Sequence, residues 1–329
     1  MKKIVLPFYF LVILLLLSII FGYSLRFFSS NREEEMEENI SLHKTGYTYI
    51  SPLLKCADNQ INVSKITTLK KSMQTFITKE QEQGKVEEIA VYFHNLSDDS
   101  WISINPNFKF SPASLLKVPL MIAYLKLAEY DPNILQQKLK VIPFDFQTAQ
   151  QNIKPEMVVE KNKEYTIEEL LQYAINYSDN QAANTLISYL DPNFINQVYT
   201  DLGLAIPGSE SLENFMTVRE YASFFEILYN ASYLNELMSE KALEILTKST
   251  FSSGLNSGLP ENVIVAHKFG ERIVGADKQL HDCGIIYMEK NPYLLCIMTK
   301  AKVGSSSDFS ELERIISTIT EKTYNYLNK

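Results

Sequence analysis

The chain predicts an α+β fold, α/β in the broad sense: an antiparallel sheet flanked by terminal helices, with an all-helical domain inserted between its strands and an N-terminal transmembrane helix ahead of it. Three observations predict it. Strand-like runs lie toward both ends of the 329 residues and are missing from the middle. The middle repeats apolar residues at helical spacing instead. The first charged residues, Lys2 and Lys3, are followed by an uninterrupted apolar run. Strands at both ends around a helical middle imply one sheet assembled from both ends of the chain.

The elements follow in order. The run from Ile4 to about Tyr23 carries no charge, is long enough to span a bilayer, and its preceding lysines predict a cytoplasmic N-terminus with the remainder exported. Residues 1–25 therefore read as a signal anchor, the alternative being a signal peptide cleaved after Ser24, with Gly22 and Ser24 as the small residues. Residues 26–49, with Glu33, Glu34, Glu35, Glu37 and Glu38, have no apolar period and read as a polar tether. The body, 50–329, divides into a sheet part, 50–112 and 262–329, and a helical part, 113–261. In the first sheet portion a helix from Ile66 to about Gln81 precedes strands Glu88–Asn95 and Trp101–Asn105, joined through the turn-forming Ser97, Asp98, Asp99 and Ser100. Leu115 to Tyr130 is apolar nearly all round, as in a helix buried on most sides. Helices follow over 166–177, opened by the capping-box pair Thr166 and Glu169, then over 181–190, 193–202, 217–229 and 234–248. Strands return at Val263–Phe269, Asp282–Met288 and Tyr293–Lys300, before a last amphipathic helix from about Ser307 to Tyr326.

Composition narrows the function. A net charge of −8 lacks the clustered Lys and Arg that tracking phosphates requires, so no nucleic-acid partner is expected. The four histidines show no metal-ligand spacing with Cys or carboxylates, and neither metal nor cofactor is expected. The three cysteines, Cys56, Cys283 and Cys296, are an odd number, so one thiol stays unpaired in a monomer. Cys283 and Cys296 fall on two runs that a hairpin would oppose, but small buried hydrophobes are the expected reading.

Three short segments carry chemistry. In Ser114-Leu115-Leu116-Lys117 the two polar residues are three apart, one helical turn, which places the amine beside the hydroxyl. A serine needs a base to become a nucleophile, and a lysine whose pKa is lowered can serve. Pro112 and Pro119 favour a helix beginning at or near Ser114, whose N-terminal N–H groups would face an oxyanion. Taken alone, the pair reads as a surface Ser and Lys. Ser178-Asp179-Asn180 stands at a junction of two predicted helices, where such residues ordinarily act as caps. Lys268-Phe269-Gly270 ends an apolar strand. A cation there would depress Lys117 and attract a substrate carboxylate, and Gly270 would let a substrate backbone approach. His267, on the opposite face by alternation, reads as structural.

The ordered set, with the segments Tyr165–Leu171, Ser178–Asn184 and His281–Tyr287, resembles the class A β-lactamase-like serine hydrolase family, which includes penicillin-binding proteins, over roughly residues 50–329. The resemblance implies that Ser114 is acylated and that Lys117 is its base. It makes Ser178 the proton shuttle to the leaving nitrogen and Asn180 a ligand of the substrate amide. Lys268 would position Ser178 and bind the substrate carboxylate, and the N–H groups of Ser114 and Glu271 would form the oxyanion hole. Two departures stand against it. The loop 203–214 is short, which puts in doubt the Glu that activates a deacylating water and leaves Glu210 or Glu213 to supply it. Phe269 replaces a hydroxyl residue. The expectation is a monomeric serine acyl-enzyme hydrolase, extracytoplasmic and held at the membrane by its N-terminal helix, or else secreted. Its partners would be β-lactams or peptidoglycan stem peptides, and it would be weak in deacylation. The alternatives are a D,D-peptidase or transpeptidase, and a non-catalytic wall-binding module.

Overall fold

The computed structural model of the chain describes residues 47–52, 63–143, 151–207, 214–289, 291–304 and 309–328. Its first elements are α1 (Val63–Glu82), β1 (Glu88–Asn95), β2 (Trp101–Ile104) and β3 (Lys109–Phe110), then a 3-10 turn (Ala113–Leu116) running into α2 (Lys117–Tyr130). Next come β4 (Lys138–Lys140), β5 (Glu164–Thr166), α3 (Ile167–Asn176), α4 (Asn180–Tyr189), α5 (Pro192–Asp201), β6 (Met216–Thr217), α6 (Val218–Tyr229) and α7 (Glu236–Leu246). The chain closes with β7 (Ile264–Val274), β8 (Asp277–Tyr287), β9 (Tyr293–Lys302) and α8 (Ser310–Leu327).

Five strands pair antiparallel in the order β2-β1-β9-β8-β7, so the sheet is indeed drawn from both ends of the chain. Alternation divides β1 between two cores. Ile89, Val91 and Phe93 pack with Leu69, Met73 and Ile77 of α1 and with Ile315 and Ile319 of α8, whereas Ala90 and Tyr92 join the helical middle. Because both faces are covered, β8 and β9 are buried along most of their length and show no polar alternation. In the helical part, α2 is buried from Lys117 through Leu125. Local capping sets the other helix starts: Thr166 with Glu169 and Thr217 with Glu220 form reciprocal capping boxes, and Asp179 and Asp191 accept the N–H two residues on.

The expected anchor at 1–25 lies outside the described residues, as does the tether up to Gly46; among the described residues no helix is long and apolar enough to cross a membrane. Two expectations are corrected. Strands β7 and β8 extend to Val274 and back to Asp277, pairing Glu271 with Leu280 and Arg272 with Gln279 around a turn in which Gly275 has φ +58°. Their polar residues hide the strand pattern, which here is set by pairing with a neighbour. The register of β8 on β9 also places Cys283 opposite Cys296, Cα atoms 4.0 Å apart, and the two form a disulfide rather than separate buried hydrophobes. Cys56 lies outside the described residues. Reduction of this bridge is expected to lower the unfolding free energy by about 3 kcal/mol, the chain-entropy value for a loop of this size. Urea midpoints measured with and without a thiol reductant check it.

Candidate active site

The Ser114 hydroxyl sits in a 3-10 turn, Ala113–Leu116, and the α-helix proper begins only at Lys117, so the helix expected at Ser114 starts as a tighter turn. Pro119 falls in the helix's first turn, where a missing N–H costs nothing. Ala113 has φ +50°, a left-handed conformation that persists only when neighbours over-determine it. They do so through Ser111. Its N–H donates to Gln279 Oε1 at 3.0 Å, its carbonyl accepts from His281 Nε2 at 3.0 Å, and its hydroxyl accepts from Arg272 Nη1 at 3.2 Å. Tyr221 donates its hydroxyl to the Leu115 carbonyl at 3.2 Å. None of these supports has a sequence signature, since Ser111 meets them only through the β7–β8 hairpin and α6.

His281 is fully buried, and Thr299 N–H donates to its Nδ1 at 3.3 Å, leaving Nε2 to carry the hydrogen for Ser111. Burial pushes its pKa down to about 4. The unfolded imidazole, near 6.5, takes up a proton that the folded one refuses, so stability is full above about pH 6.5 and falls on acidification toward 4. The loss is roughly 3 kcal/mol at most. Urea midpoints across that window should slope less in a His281→Gln variant than in the unsubstituted protein.

Two lysines converge on Ser178. Lys117 Nζ donates to the Ser178 carbonyl at 2.6 Å, to Ser178 Oγ at 3.2 Å and to Asn180 Oδ1 at 2.7 Å. Lys268 Nζ donates to Ser178 Oγ at 2.9 Å and to the Phe269 carbonyl at 2.9 Å. The amine expected beside Ser114 is thus engaged with 178–180, and among the described residues the Ser114 hydroxyl has no hydrogen bond. Burial brings the Lys117 pKa down to about 7, against the opposing charges of Asp179 and Glu271. Lys268 is pushed well below its usual value, first by burial and then by the Lys117 charge. Of the two causes expected to lower Lys117, burial and a neighbouring cation, burial leads. Ser178 Oγ receives N–H groups from both sides, which leaves its own proton to be directed at a third group. The Ser178 backbone is left-handed, φ +57°, and Asp179 holds the junction by accepting from Gln181 N–H and Val159 N–H, each at 2.8 Å. The capping reading of Asp179 and the site reading of its neighbours both apply.

The residues after Lys268 take unexpected places. A Cβ on Gly270 would lie 2.7 Å from the Pro112 carbonyl oxygen and 3.1 Å from Leu115 N, so what approaches Gly270 is the nucleophile turn itself. Phe269 stacks on Phe251, centroids 4.0 Å apart, with the Lys268 ammonium 4.2 Å from its ring centroid. Where a hydroxyl was expected there is a buried ring. His267 faces away from Lys268 and bonds the buried Asp282, Nδ1 to Oδ1 at 2.9 Å, as a structural pair. Glu271 reaches over the edge of the sheet. Its carboxylate accepts from Asn152 N at 2.7 Å, Asn152 Nδ2 at 2.9 Å and Ile153 N at 3.3 Å, while Gln151 Nε2 donates to the Ser178 carbonyl at 3.0 Å. Residues 151–153 thereby strap Ser178 to β7.

Among the described residues no group of three His, Cys, Asp or Glu is placed to hold a metal. Glu210 and Glu213 lie outside the described residues. The arrangement supplies a nucleophile, a base titrating near neutrality and a proton relay, the requirements of acyl transfer.

A sequence model of the beta-lactamase enzyme family matches residues 68–327. The chain is 28% identical over 270 residues to Beta-lactamase VEB-1 of Pseudomonas aeruginosa, spanning 75% of this chain and 88% of that protein. Among solved structures, the TLA-3 extended-spectrum beta-lactamase aligns with a TM-score of 0.68 at 19% identity, over 80% of this chain and all 100% of that one. A PBP-A mutant, solved as an acyl-enzyme complex with penicillin G, aligns at 0.64 and 20% identity, over 80% of this chain and 97% of its own. At these identities the two structures establish a shared fold.

Proposed function

Because the chain belongs to the beta-lactamase enzyme family, we propose that it is a serine acyl-enzyme hydrolase acting on β-lactams or related acyl-D-alanyl amides through Ser114. The observation that carries this is the approach of Lys117, three residues after Ser114, and of Lys268 to Ser178 Oγ, at 3.2 and 2.9 Å. Protonated Lys117 fills three acceptors. Once it loses a proton, its lone pair is available to the Ser114 hydroxyl. Ser114 Oγ then bonds the acyl carbon, the C–N bond breaks, and the proton passes from Lys117 through Ser178 Oγ to the departing nitrogen. Asn180, whose Oδ1 is held by Lys117, offers its Nδ2 to the acyl amide, and the N–H groups of Ser114 and Glu271 receive the oxyanion. Glu271 belongs to the edge strand of the sheet, where backbone groups on one side have no neighbouring strand.

Release of the acyl group is slow in this reading, because loop 203–214, which would carry the Glu that activates the deacylating water, is short; Glu210, with Asn214 four positions on, is the carboxylate in it that would do so. The same observation favours a second reading, a D,D-peptidase or transpeptidase that passes the acyl group to an amine. The protein acts as a monomer outside the cytoplasm, anchored through residues 1–25. The Cys283–Cys296 disulfide supports export, since such bonds persist in oxidising compartments.

Intact-protein mass spectrometry during exposure to a chromogenic cephalosporin tests both half-reactions. An adduct that stays on Ser114 while colour release stops is the expected result, and D-alanine release from a stem-peptide mimic would then favour the second reading. Continuous colour release would overturn slow deacylation, and absence of any adduct across β-lactam classes would leave the non-catalytic module.

A further inference from the structure

The backbone carbonyl of Ser178 has two side-chain donors with different fates. Ser178 stands one residue ahead of Asp179, the N-cap of α4, so its carbonyl lies outside that helix's ladder. The residue is buried, and the oxygen accepts from Lys117 Nζ at 2.6 Å and from Gln151 Nε2 at 3.0 Å. A carbonyl oxygen has two lone pairs, and these two donors fill them. Gln151 is steadied by the residues that follow it. The N–H groups of Asn152 and Ile153 donate to Glu271 at 2.7 and 3.3 Å, and the Ile153 side chain packs with the cluster that contains Phe251 and Phe269.

Lys117 must give up a proton to serve as a base, whereas a carboxamide N–H does not titrate. A buried carbonyl left without a donor costs free energy comparable to a lost hydrogen bond. With Lys117 as sole donor, that cost would hold the ammonium in place, because hydrogen bonds made by the charged form favour it. Gln151 keeps the oxygen satisfied whichever form Lys117 takes. Its N–H also turns the positive end of a dipole toward the oxygen that the ammonium uses. Both effects favour the neutral amine. The charged groups around Lys117 are Asp179 and Glu271, which favour the ammonium, and Lys268, which meets the same Ser178 hydroxyl. Gln151 thus acts in the same direction as burial and against the two carboxylates.

We propose that Gln151 is a positioning residue that holds the Ser178 carbonyl so that Lys117 can lose its proton and act as the base. The inference rests on the acyl-transfer reading of Ser114 and concerns how the base of that reaction is prepared. Gln151 itself touches neither the acyl donor nor Ser114 in this role. It acts through a carbonyl 27 residues away in the chain.

Two variants of the full chain remove the donor. Gln151→Met keeps the length of the side chain, and Gln151→Glu keeps its shape while placing a carboxylate beside the carbonyl and the ammonium. The pH at which acylation by a fixed cephalosporin reaches half its plateau should rise by about one unit in Gln151→Met, the scale of one hydrogen bond, and by more in Gln151→Glu. The alkaline plateau should stay within about twofold, so that Gln151→Met is about fivefold slower near pH 7 and nearly unchanged near pH 9. A midpoint that moves by less than about 0.3 unit in both variants, or a plateau that falls while the midpoint stays, overturns the proposal. The carbon-13 shift of Lys117 Cε in lysine-labelled protein, assigned by its loss in Lys117→Ala, reads the same midpoint with no substrate present. Failure of Ser114 to react would condemn the acyl-transfer reading, while that titration still judges Gln151.

Discussion

Lys117→Ala is expected to slow Ser114 acylation by about 10²- to 10⁴-fold, the span over which a positioned general base acts. In the unsubstituted protein, acylation should rise about tenfold per pH unit up to pH 7 and level off above it. The sign follows from the pKa of about 7 that burial imposes on Lys117. The neutral amine is the base, so the active fraction is lost as the pH falls below that value. Stopped-flow acylation against pH measures both the slope and the plateau, and circular dichroism confirms that the variant folds. A profile flat from pH 5 to 9, or a Lys117→Ala variant acylating at the original rate, would remove Lys117 from the role of base. Ser178→Ala offers a contrast. It should keep the pH midpoint near that of Lys117 while lowering the rate, because the shuttle acts after the base.

Gly270→Ala should cost about 10²-fold in acylation, as misplacement of a reacting group by about an ångström does. The added methyl would sit 2.7 Å from the Pro112 carbonyl oxygen and 3.1 Å from Leu115 N, both backbone atoms of the turn that carries Ser114. That turn has little freedom to yield, since Ser111 is tied to Gln279, His281 and Arg272. The substitution must therefore move either β7 or the nucleophile. The acylation rate with a fixed cephalosporin reads the effect, and the apparent pKa near 7 should survive, because Lys117 keeps its partners on 178–180. A rate unchanged within about twofold would mean that the turn and strand slide apart without displacing Ser114. That outcome would refute the tight coupling of Gly270 to the nucleophile.

Much of this molecule was legible because it is local. The periodicities of α1 and α8, the capping box at Thr166, and the apolar runs of β1 and β9 act within windows of a few residues, and all appear where expected. The triad of motifs was legible for a related reason. Ser114 and Lys117 sit one turn apart whatever surrounds them, and Ser178 and Asn180 mark a helix start in any fold. Their meeting point was not written locally: Lys117 lies 61 residues from Ser178, and Lys268 lies 90 residues from it.

By itself the sequence determined the mixed helix-and-sheet architecture, the order of the chemistry-bearing segments, and the loss of a hydroxyl at Phe269. Only the tertiary structure decided how those segments are used. It paired Cys283 with Cys296, lengthened β7 and β8 through residues whose polarity masks a strand, and brought Gln279 and His281 under Ser111. It also turned Glu271 outward to bind Asn152 and Ile153, more than a hundred residues away in the chain. The physical reason is common to all of these. Local propensity chooses between helix and strand, but strand register, burial and the lowering of a lysine's pKa depend on neighbours that only the folded chain supplies.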